Sequence, residues 1–373
     1  MNKFNSAYLD FVRLFAALIV FVGHLNYEYL VGSILGVTHL PGFGPDAVMV
    51  FFVLSGFIIS DVVKKRESAL TEYISARISR LFSIAWPALL ITLICDQIGQ
   101  AINPDYYHSA WWFNNSHFIP RLGVNLLLLN QLWFLDVDAF SNGPFWSLGY
   151  EALFYAIFVA VGFNIKHRKS TLTFLCLIAG PKILILFPIW LSGYYLYNYV
   201  TKIQLSLFTS IMLFLLSIIL YITYKSYCDE GLMSSYFTNL VFEKQNKFIN
   251  SLGHSRCFLD FYFLSSLIIL NFLATYNIFK LISDDRMPKM VYKLNRTIAL
   301  GTFAIYAVHY PIVHCIAAIS DFYKISHTFQ SNTMMFLIPL IVSVFVTYYG
   351  NKIRIPMVKI IKHLINSIWA RMT

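Results

Sequence analysis

The sequence predicts an all-α, polytopic membrane helix bundle of about ten transmembrane helices, with both termini cytoplasmic. Three observations predict it. Hydrophobic residues make up 58 % of the 373 and charged ones only 12 %, so there are too few charges to cover a water-soluble globule of this size. Apolar runs of spanning length recur along the chain. Basic residues gather between alternate runs, the pattern of cytoplasmic loops. With 17 % aromatic residues the composition also excludes disorder, which goes with polar, aromatic-poor sequence. The excess of 28 Lys+Arg over 18 Asp+Glu, net +10, is assigned to this loop bias, and no nucleic-acid partner is expected.

The first run, Tyr8–Tyr29, is long enough to cross and carries Asp10, Arg13 and His24, unlike the apolar core of a signal peptide. Val48–Val63, Leu81–Ile98 and Phe145–Phe163 follow. Thr171–Phe187 and Pro188–Val200 are short and are interrupted by Pro181, Lys182 and Pro188. One kinked helix or a re-entrant pair is the alternative for these two. Ile203–Tyr224, Phe258–Ile282, Ile298–Ser320 and Met334–Tyr349 complete the ten. Lys64, Lys65, Arg66, Arg77 and Arg80 follow the second run, and Lys166, Arg168 and Lys169 the fourth. Arg286, Lys289, Lys293 and Arg296 precede the ninth, and Lys352, Arg354, Lys359 and Lys362 follow the tenth, whereas Val31–Pro45 has no Lys or Arg. An even number of spans places every basic cluster in the cytoplasm. A membrane domain is therefore expected over residues 1–352 and a basic cytoplasmic tail over 353–373. Cys228 and Cys257 flank one polar loop and could pair in an oxidising compartment.

Ionisable groups inside spans are costly and tend to face an interior cavity. Arg13 and His24 are eleven residues apart, which brings both to one face, about 16 Å apart along the axis. Glu151 is the acidic residue set most clearly inside a span, one turn after Ser147 and on the same face. Gly143 and Pro144 form a break and helix start ahead of that polar stripe. Tyr306 and His309 share a face of the ninth span, and Arg77 and Arg80 lead into the third. Two layers result. Arg13, Arg77 and Arg80 lie inward, where guanidinium forks suit phosphate. His24, Glu151 and His309 lie deeper, where acid–base chemistry is possible. Taken alone, each has a plainer reading: basic residues obeying the inside rule and a histidine packing one helix on another.

Five segments in order resemble the integral-membrane acyltransferase-3 family, which includes bacterial O-acetylases of surface polysaccharides. They are Arg13 with His24; Asp46 followed by Phe51-Phe52-Val53-Leu54-Ser55-Gly56-Phe57; and Arg77-Ile78-Ser79-Arg80-Leu81 ahead of Trp86-Pro87. The others are Trp146-Ser147-Leu148-Gly149-Tyr150-Glu151 and Thr302 through Tyr306 to His309, with Thr302 where the family usually has Ser. The resemblance covers nearly the whole chain. It implies a membrane-embedded O-acyltransferase that moves an acyl group, most often acetyl, from cytoplasmic acyl-CoA to a hydroxyl of a cell-surface or lipid-linked glycan. It implies a bacterial cytoplasmic membrane, contact with membrane lipid, acyl-CoA as co-substrate and no metal. His24 and Glu151 then form the catalytic pair, with His24 as general base because neutral imidazole accepts a proton near neutral pH. Arg13, Arg77 and Arg80 are expected on the CoA phosphates, and Asp46, Ser147, Trp146, Tyr306 and His309 at the substrate. An acyl-His24 intermediate stays open from the sequence. The competing class is a transporter or flippase using the buried Arg/His/Glu path, against which the absence of an internal repeat counts.

Overall fold

The computed structural model describes residues 1–25, 42–110, 113, 116–228, 231–241 and 247–372. The end of the first apolar run and most of Val31–Pro45 lie outside the described residues. The fold is all-helical, as its composition predicts. In chain order come α1 (Lys3–Leu25), α2 (Phe43–Lys65), α3 (Leu70–Ile102), α4 (Pro104–Ser109), α5 (Phe118–Leu126), α6 (Trp146–Gly162) and α7 (Arg168–Ala179). They continue as α8 (Pro181–Val200), α9 (Leu207–Tyr227), α10 (Leu232–Val241), α11 (Lys247–Ser251), α12 (Phe258–Lys280), α13 (Lys289–Phe322) and α14 (Phe329–Met372). Among the described residues nine helices are long and apolar enough to cross a membrane: α1, α2, α3, α6, α8, α9, α12, α13 and α14.

The difference from the ten expected lies between residues 168 and 200. The chain breaks at Gly180, not between Phe187 and Pro188. Gly180 has φ 78°, a conformation that glycine adopts without strain, and Pro181 opens α8 where its missing N–H is not needed. Pro188 is absorbed inside α8. This leaves α7 with 12 residues, about 18 Å, short of the ~30 Å of a hydrocarbon core.

The chain divides into two compact units. The first comprises Met1–Ala16, Pro41–Arg66 and Thr173–Ala299. Its tightest contact is α2 against α8, where Gly56 and Gly193 let two backbones meet. A Cβ on Gly56 would stand 1.9 Å from the Trp190 carbonyl oxygen, and one on Gly193 1.9 Å from that of Val53. Trp190 Nε1 donates to Ser55 Oγ at 3.1 Å and Ser60 Oγ to Asn198 Oδ1 at 3.3 Å, while Tyr197 reaches Asp61. Contacts that advance together along both helices make α8 parallel to α2. α9 and α12 run antiparallel, tied by Tyr224 OH to Asp260 at 2.6 Å at one end and Leu205 N to Asn277 at 3.2 Å at the other. Asp260 also accepts from the backbone N–H groups of Met233 and Ser234 at 3.0 and 2.9 Å, capping α10 with a buried carboxylate. The start of α1 lies on α12 through Asn2, which donates to Phe279 O at 2.6 Å. Arg296 closes the start of α13 onto buried Asp10 at 3.1 Å. Cys228 and Cys257 are not joined in a disulfide.

The second unit comprises Ala17–Leu40, Glu67–Leu172 and Leu300–Thr373. α3 and α14 pack antiparallel over a long stretch, from Gly350 against Ser83 and Ile84 to Lys362 Nζ, 3.9 Å from Glu72. With 33 and 44 residues they are about 50 and 66 Å long, so both outrun a bilayer core. Residues 353–372 thus continue the tenth apolar run as one helix. α6 lies antiparallel on α3: Tyr73 OH donates to Tyr155 O at 3.1 Å near one end, and Ser141 N to Asp96 at 3.1 Å near the other. Asn142 stitches the entry to α6 onto α13 by donating to Ala307 O at 2.8 Å. Arg121, the one basic residue of the Gln97–Pro144 segment, holds that segment's fold by donating to Asp138 O at 2.8 Å.

Candidate functional site

The second unit brings together two of the sequence-predicted histidines directly. His24 lies at the last turn of the described α1, and His309 lies in the middle of α13, fully buried. Their ring nitrogens, His24 Nδ1 and His309 Nε2, are 2.8 Å apart. His309 Nδ1 is 2.8 Å from the carbonyl oxygen of Ile305, one turn back on its own helix. A carbonyl only accepts, so His309 Nδ1 carries the hydrogen and, in the neutral ring, Nε2 is a bare acceptor. His24 Nδ1 must then be the donor, which leaves the lone pair of neutral His24 on Nε2. A backbone carbonyl thus sets the tautomer of one imidazole, and that imidazole sets the next.

Aromatic rings hold the pair. Phe21 meets His309 edge-on at 5.6 Å between centroids and stacks on Phe336 of α14 at 5.6 Å. Tyr310 lies 4.6 Å from the His24 ring and 4.5 Å from that of His314, so it stands between a site histidine and a second buried one. His314 Nδ1 is 3.1 Å from Tyr106 OH of α4. Tyr310 and His314 are one turn apart, a spacing visible in the sequence beyond the point where the family motif ends.

Tyr306 and Ser147, both buried, form a second polar node. Their hydroxyls are 2.7 Å apart, and both approach the Pro144 carbonyl, at 3.0 Å for Tyr306 and 3.3 Å for Ser147. Pro144 is the middle residue of the 3-10 turn Gly143–Phe145 that leads into α6, and this places its carbonyl at the helix mouth. Trp146 follows, its ring edge-on to Tyr150 at 5.1 Å. The Tyr306 ring centroid is 6.3 Å from that of His309, so node and histidine pair adjoin on α13. Glu151, one turn further along α6, accepts from Tyr155 and is within electrostatic reach of Tyr306.

The basic layer is separate along the same helices. Arg77 is 5 % exposed and donates through Nη2 to both carboxylate oxygens of Glu67, at 2.6 and 2.8 Å. Its guanidinium sits over the rings of Tyr73 and Tyr155, at 5.8 and 5.7 Å. Tyr155 is eight residues beyond Ser147 on α6, so this layer lies about 12 Å along the axis from the Tyr306–Ser147 node, with Glu151 midway. Arg80, half-buried, follows one turn after Arg77. Glu67 stands ahead of α3, where no helical spacing singles it out.

Arg13 and Asp46 belong to the first unit. Arg13 is half-buried on α1, eleven residues before His24. Asp46, expected at the substrate, is engaged at the start of α2: Lys225 Nζ pairs with it at 2.8 Å and Tyr221 OH donates to it at 3.0 Å. Among the described residues no cluster of three or more His, Cys, Asp or Glu is arranged to hold a metal ion.

The helical bundle thus brings an imidazole pair, paired hydroxyls and an arginine layer onto neighbouring helices of one unit, the frame of a polytopic membrane enzyme. Residues 6–351 match the family described as an acyltransferase domain, and the chain belongs to this acyltransferase-3 family of membrane acyltransferases. Among curated relatives it is 30 % identical over 186 residues to the O-acetyl transferase of Shigella phage Sf6, covering 48 % of this chain and 51 % of that one. To the peptidoglycan O-acetyltransferase OatA of Listeria monocytogenes it is 26 % identical over 194 residues, 48 % of this chain and 26 % of that one. The O-acetyltransferase OatA of Staphylococcus aureus gives 27 % over 179 residues, 43 % and 25 %. The chain therefore spans about a quarter to a half of the length of the relatives it matches. No solved structure matches it.

Proposed function

We propose that this protein transfers an acetyl group from acetyl-CoA to a hydroxyl of a cell-surface glycan, within a bacterial inner membrane and with both termini cytoplasmic. The observation that carries the reading is the His24–His309–Ile305 chain, which puts the lone pair of half-buried His24 on Nε2. A sugar hydroxyl titrates far above neutral pH and must lose its proton as it attacks. His24 Nε2 takes that proton while the oxygen bonds to the thioester carbonyl carbon. The tetrahedral intermediate collapses, the carbon–sulfur bond breaks, and the CoA thiolate leaves and is protonated by the imidazolium. His309 orients His24 and, held by the Ile305 carbonyl, fixes the tautomer that puts the lone pair this step requires on His24 Nε2. Glu151 helps to hold the acceptor or the histidinium charge. Tyr306, Ser147 and Trp146 line the acceptor's position, with Tyr306 and Ser147 supplying hydroxyls to hydrogen-bond a sugar.

Arg13, Arg77 and Arg80 face the donor's phosphates. Arg77 does so as a guanidinium already fixed by Glu67, whereas Arg80 is not in an ion pair among the described residues. The relatives named for peptidoglycan and for O-acetyl transfer support a glycan acceptor. The parallel run of α2 and α8 supports termini on one side. An odd number of crossings must separate two parallel spans; α3 and α6 make two, so residues 163–180, including α7, make the third. The count of crossings then returns to ten, and the basic clusters face the cytoplasm.

The deciding experiment is acetyl transfer by purified protein in nanodiscs, with acetyl-CoA and an oligosaccharide acceptor. Wild-type protein is expected to release CoA in step with acetylated sugar. His24→Ala is expected to lose about 10²–10⁴-fold in rate while keeping its unfolding temperature. Full activity in His24→Ala would overturn the assignment.

A further inference from the structure

Sequence alone leaves Arg354 in the basic cluster after the last apolar run, as one more residue obeying the inside rule. Its position in α14 gives it a different company. In the antiparallel α3–α14 pair, Gly350 sits so close to α3 that a Cβ on it would be 2.9 Å from the Ser83 carbonyl oxygen and 2.8 Å from Ile84 Cδ1. Twelve residues on, Lys362 reaches Glu72 at 3.9 Å. Both contacts define the same register, and in that register Arg354 falls level with Arg80. The electrostatics agree: the charges acting on half-buried Arg354 are, in order, those of Arg80, Arg77 and Glu67.

Three guanidiniums therefore converge on one level of a helix pair. Among the described residues the one carboxylate ion-paired with any of them is Glu67, whose two oxygens are both taken by Arg77 Nη2. Arg77 Nε is buried without an acceptor. Facing arginines in a half-buried interface repel each other unless an anion lies between them, and the cluster keeps a net charge of two positive units after Glu67. A phosphate monoester at neutral pH carries about −1.5 to −2 and three acceptor oxygens, which matches this charge and number of forks. A phosphate with two substituents, whether in a pyrophosphate bridge or a phospholipid, offers one negative charge per phosphate.

We propose that Arg354, facing Arg80 across the α3–α14 pair, is a phosphate-binding residue that recognises the 3′-phosphomonoester of the CoA donor. The proposal rests on the donor being a CoA thioester, as proposed above, and goes beyond it by naming the residue from α14 and the phosphate it reads. It makes the helix that ends the chain part of the donor site.

The test is equilibrium binding of coenzyme A and of 3′-dephospho-coenzyme A to the full chain in phosphatidylcholine nanodiscs. Wild type is expected to bind coenzyme A about tenfold or more tightly than the dephospho form, the size of effect for a charge-assisted contact. Arg354→Gln is expected to abolish that preference by weakening coenzyme A alone, and Arg354→Lys to retain part of it. Lys362→Gln, on the same helix but paired to Glu72, should leave it unchanged. If Arg354→Gln lowers the unfolding temperature, the lysine variant supplies the comparison. A tenfold preference that survives in both arginine variants overturns the proposal, as does its absence in the wild type. A parallel arm in discs containing phosphatidylglycerol follows retained lipid by native mass spectrometry. Loss of that lipid in Arg354→Gln, with the nucleotide preference intact, would assign the arginine to a lipid headgroup and likewise overturn the donor role. Because binding is read without turnover, a wild type that shows the 3′-phosphate preference but transfers no acetyl group would refute the proposed activity and leave this inference standing.

Discussion

An imidazole acts as a base only through the nitrogen that keeps its lone pair, and in this protein that choice is made two residues away. The Ile305 carbonyl holds the hydrogen on His309 Nδ1, and His309 in turn holds one on His24 Nδ1. Replacing His309 by Phe removes the acceptor for His24 Nδ1 but leaves His24 in place. Transfer is expected to fall about 10²-fold in kcat, within the range for acid–base assistance, with little change in the KM for acetyl-CoA. Steady-state kinetics on the purified variant check it; a change confined to KM would mean that His309 binds substrate and does not orient the base. A second residue-scale expectation concerns Arg77. It is 5 % exposed and its charge is met by Glu67, so Glu67→Gln leaves a buried cation without its counter-ion. Destabilisation of about 3–5 kcal/mol is expected, read as a lowered unfolding temperature, and unchanged stability would show that solvent reaches the guanidinium. Spacing along the chain identified His24, His309, Ser147 and Tyr306 because residues one turn apart, or eleven apart, share a helix face. It did not identify Glu67, which precedes a helix, or Arg354, whose partner is on another helix.

At the scale of elements, the α2–α8 contact depends on two missing side chains. Gly56 and Gly193 interlock, each set against a carbonyl oxygen of the other helix. Small residues drive close helix approach in membranes because packing, not water exclusion, holds the helices together. Gly56→Val would force the helices apart and is expected to cost at least about 1–3 kcal/mol, the usual range for overpacking, read as reduced thermal stability in detergent. Retained stability would mean that α8 can slide along α2. Gly56 lies inside the Ser55-Gly56-Phe57 segment quoted for the family, so a motif that looks functional in sequence has a packing task here. The break between α7 and α8 shows the opposite limit of sequence reading. Pro181 and Pro188 are equivalent as residue types, yet one begins a helix and the other is absorbed within it. The left-handed turn at Gly180 decides between them.

For the whole molecule, the proposed ten-crossing arrangement predicts which side each loop faces. Within the first unit α8 runs with α2 and α9 runs against α12, so the segment 201–206 emerges at the end of α2, and the end of α9 at Lys225 lies near its start. Reporter fusions after Gln204 are expected to be cytoplasmic and fusions after Ser251 external. The reverse assignment, Gln204 external and Ser251 cytoplasmic, would remove α7 as a crossing and with it the common side of the termini.

By itself the sequence determined the class of protein: a chain with 58 % hydrophobic and 12 % charged residues can bury its backbone only as membrane helices, and the order of its polar residues within those helices marks the acyltransferase family. It also determined which residues share a helix face, since that follows from a fixed turn of the α-helix. Only the tertiary structure decided which nitrogen of His24 carries the hydrogen, that Glu67 is engaged by Arg77, and that Arg354 stands opposite Arg80. Those are contacts between helices far apart in the chain, and neither composition nor periodicity carries the register in which two helices meet.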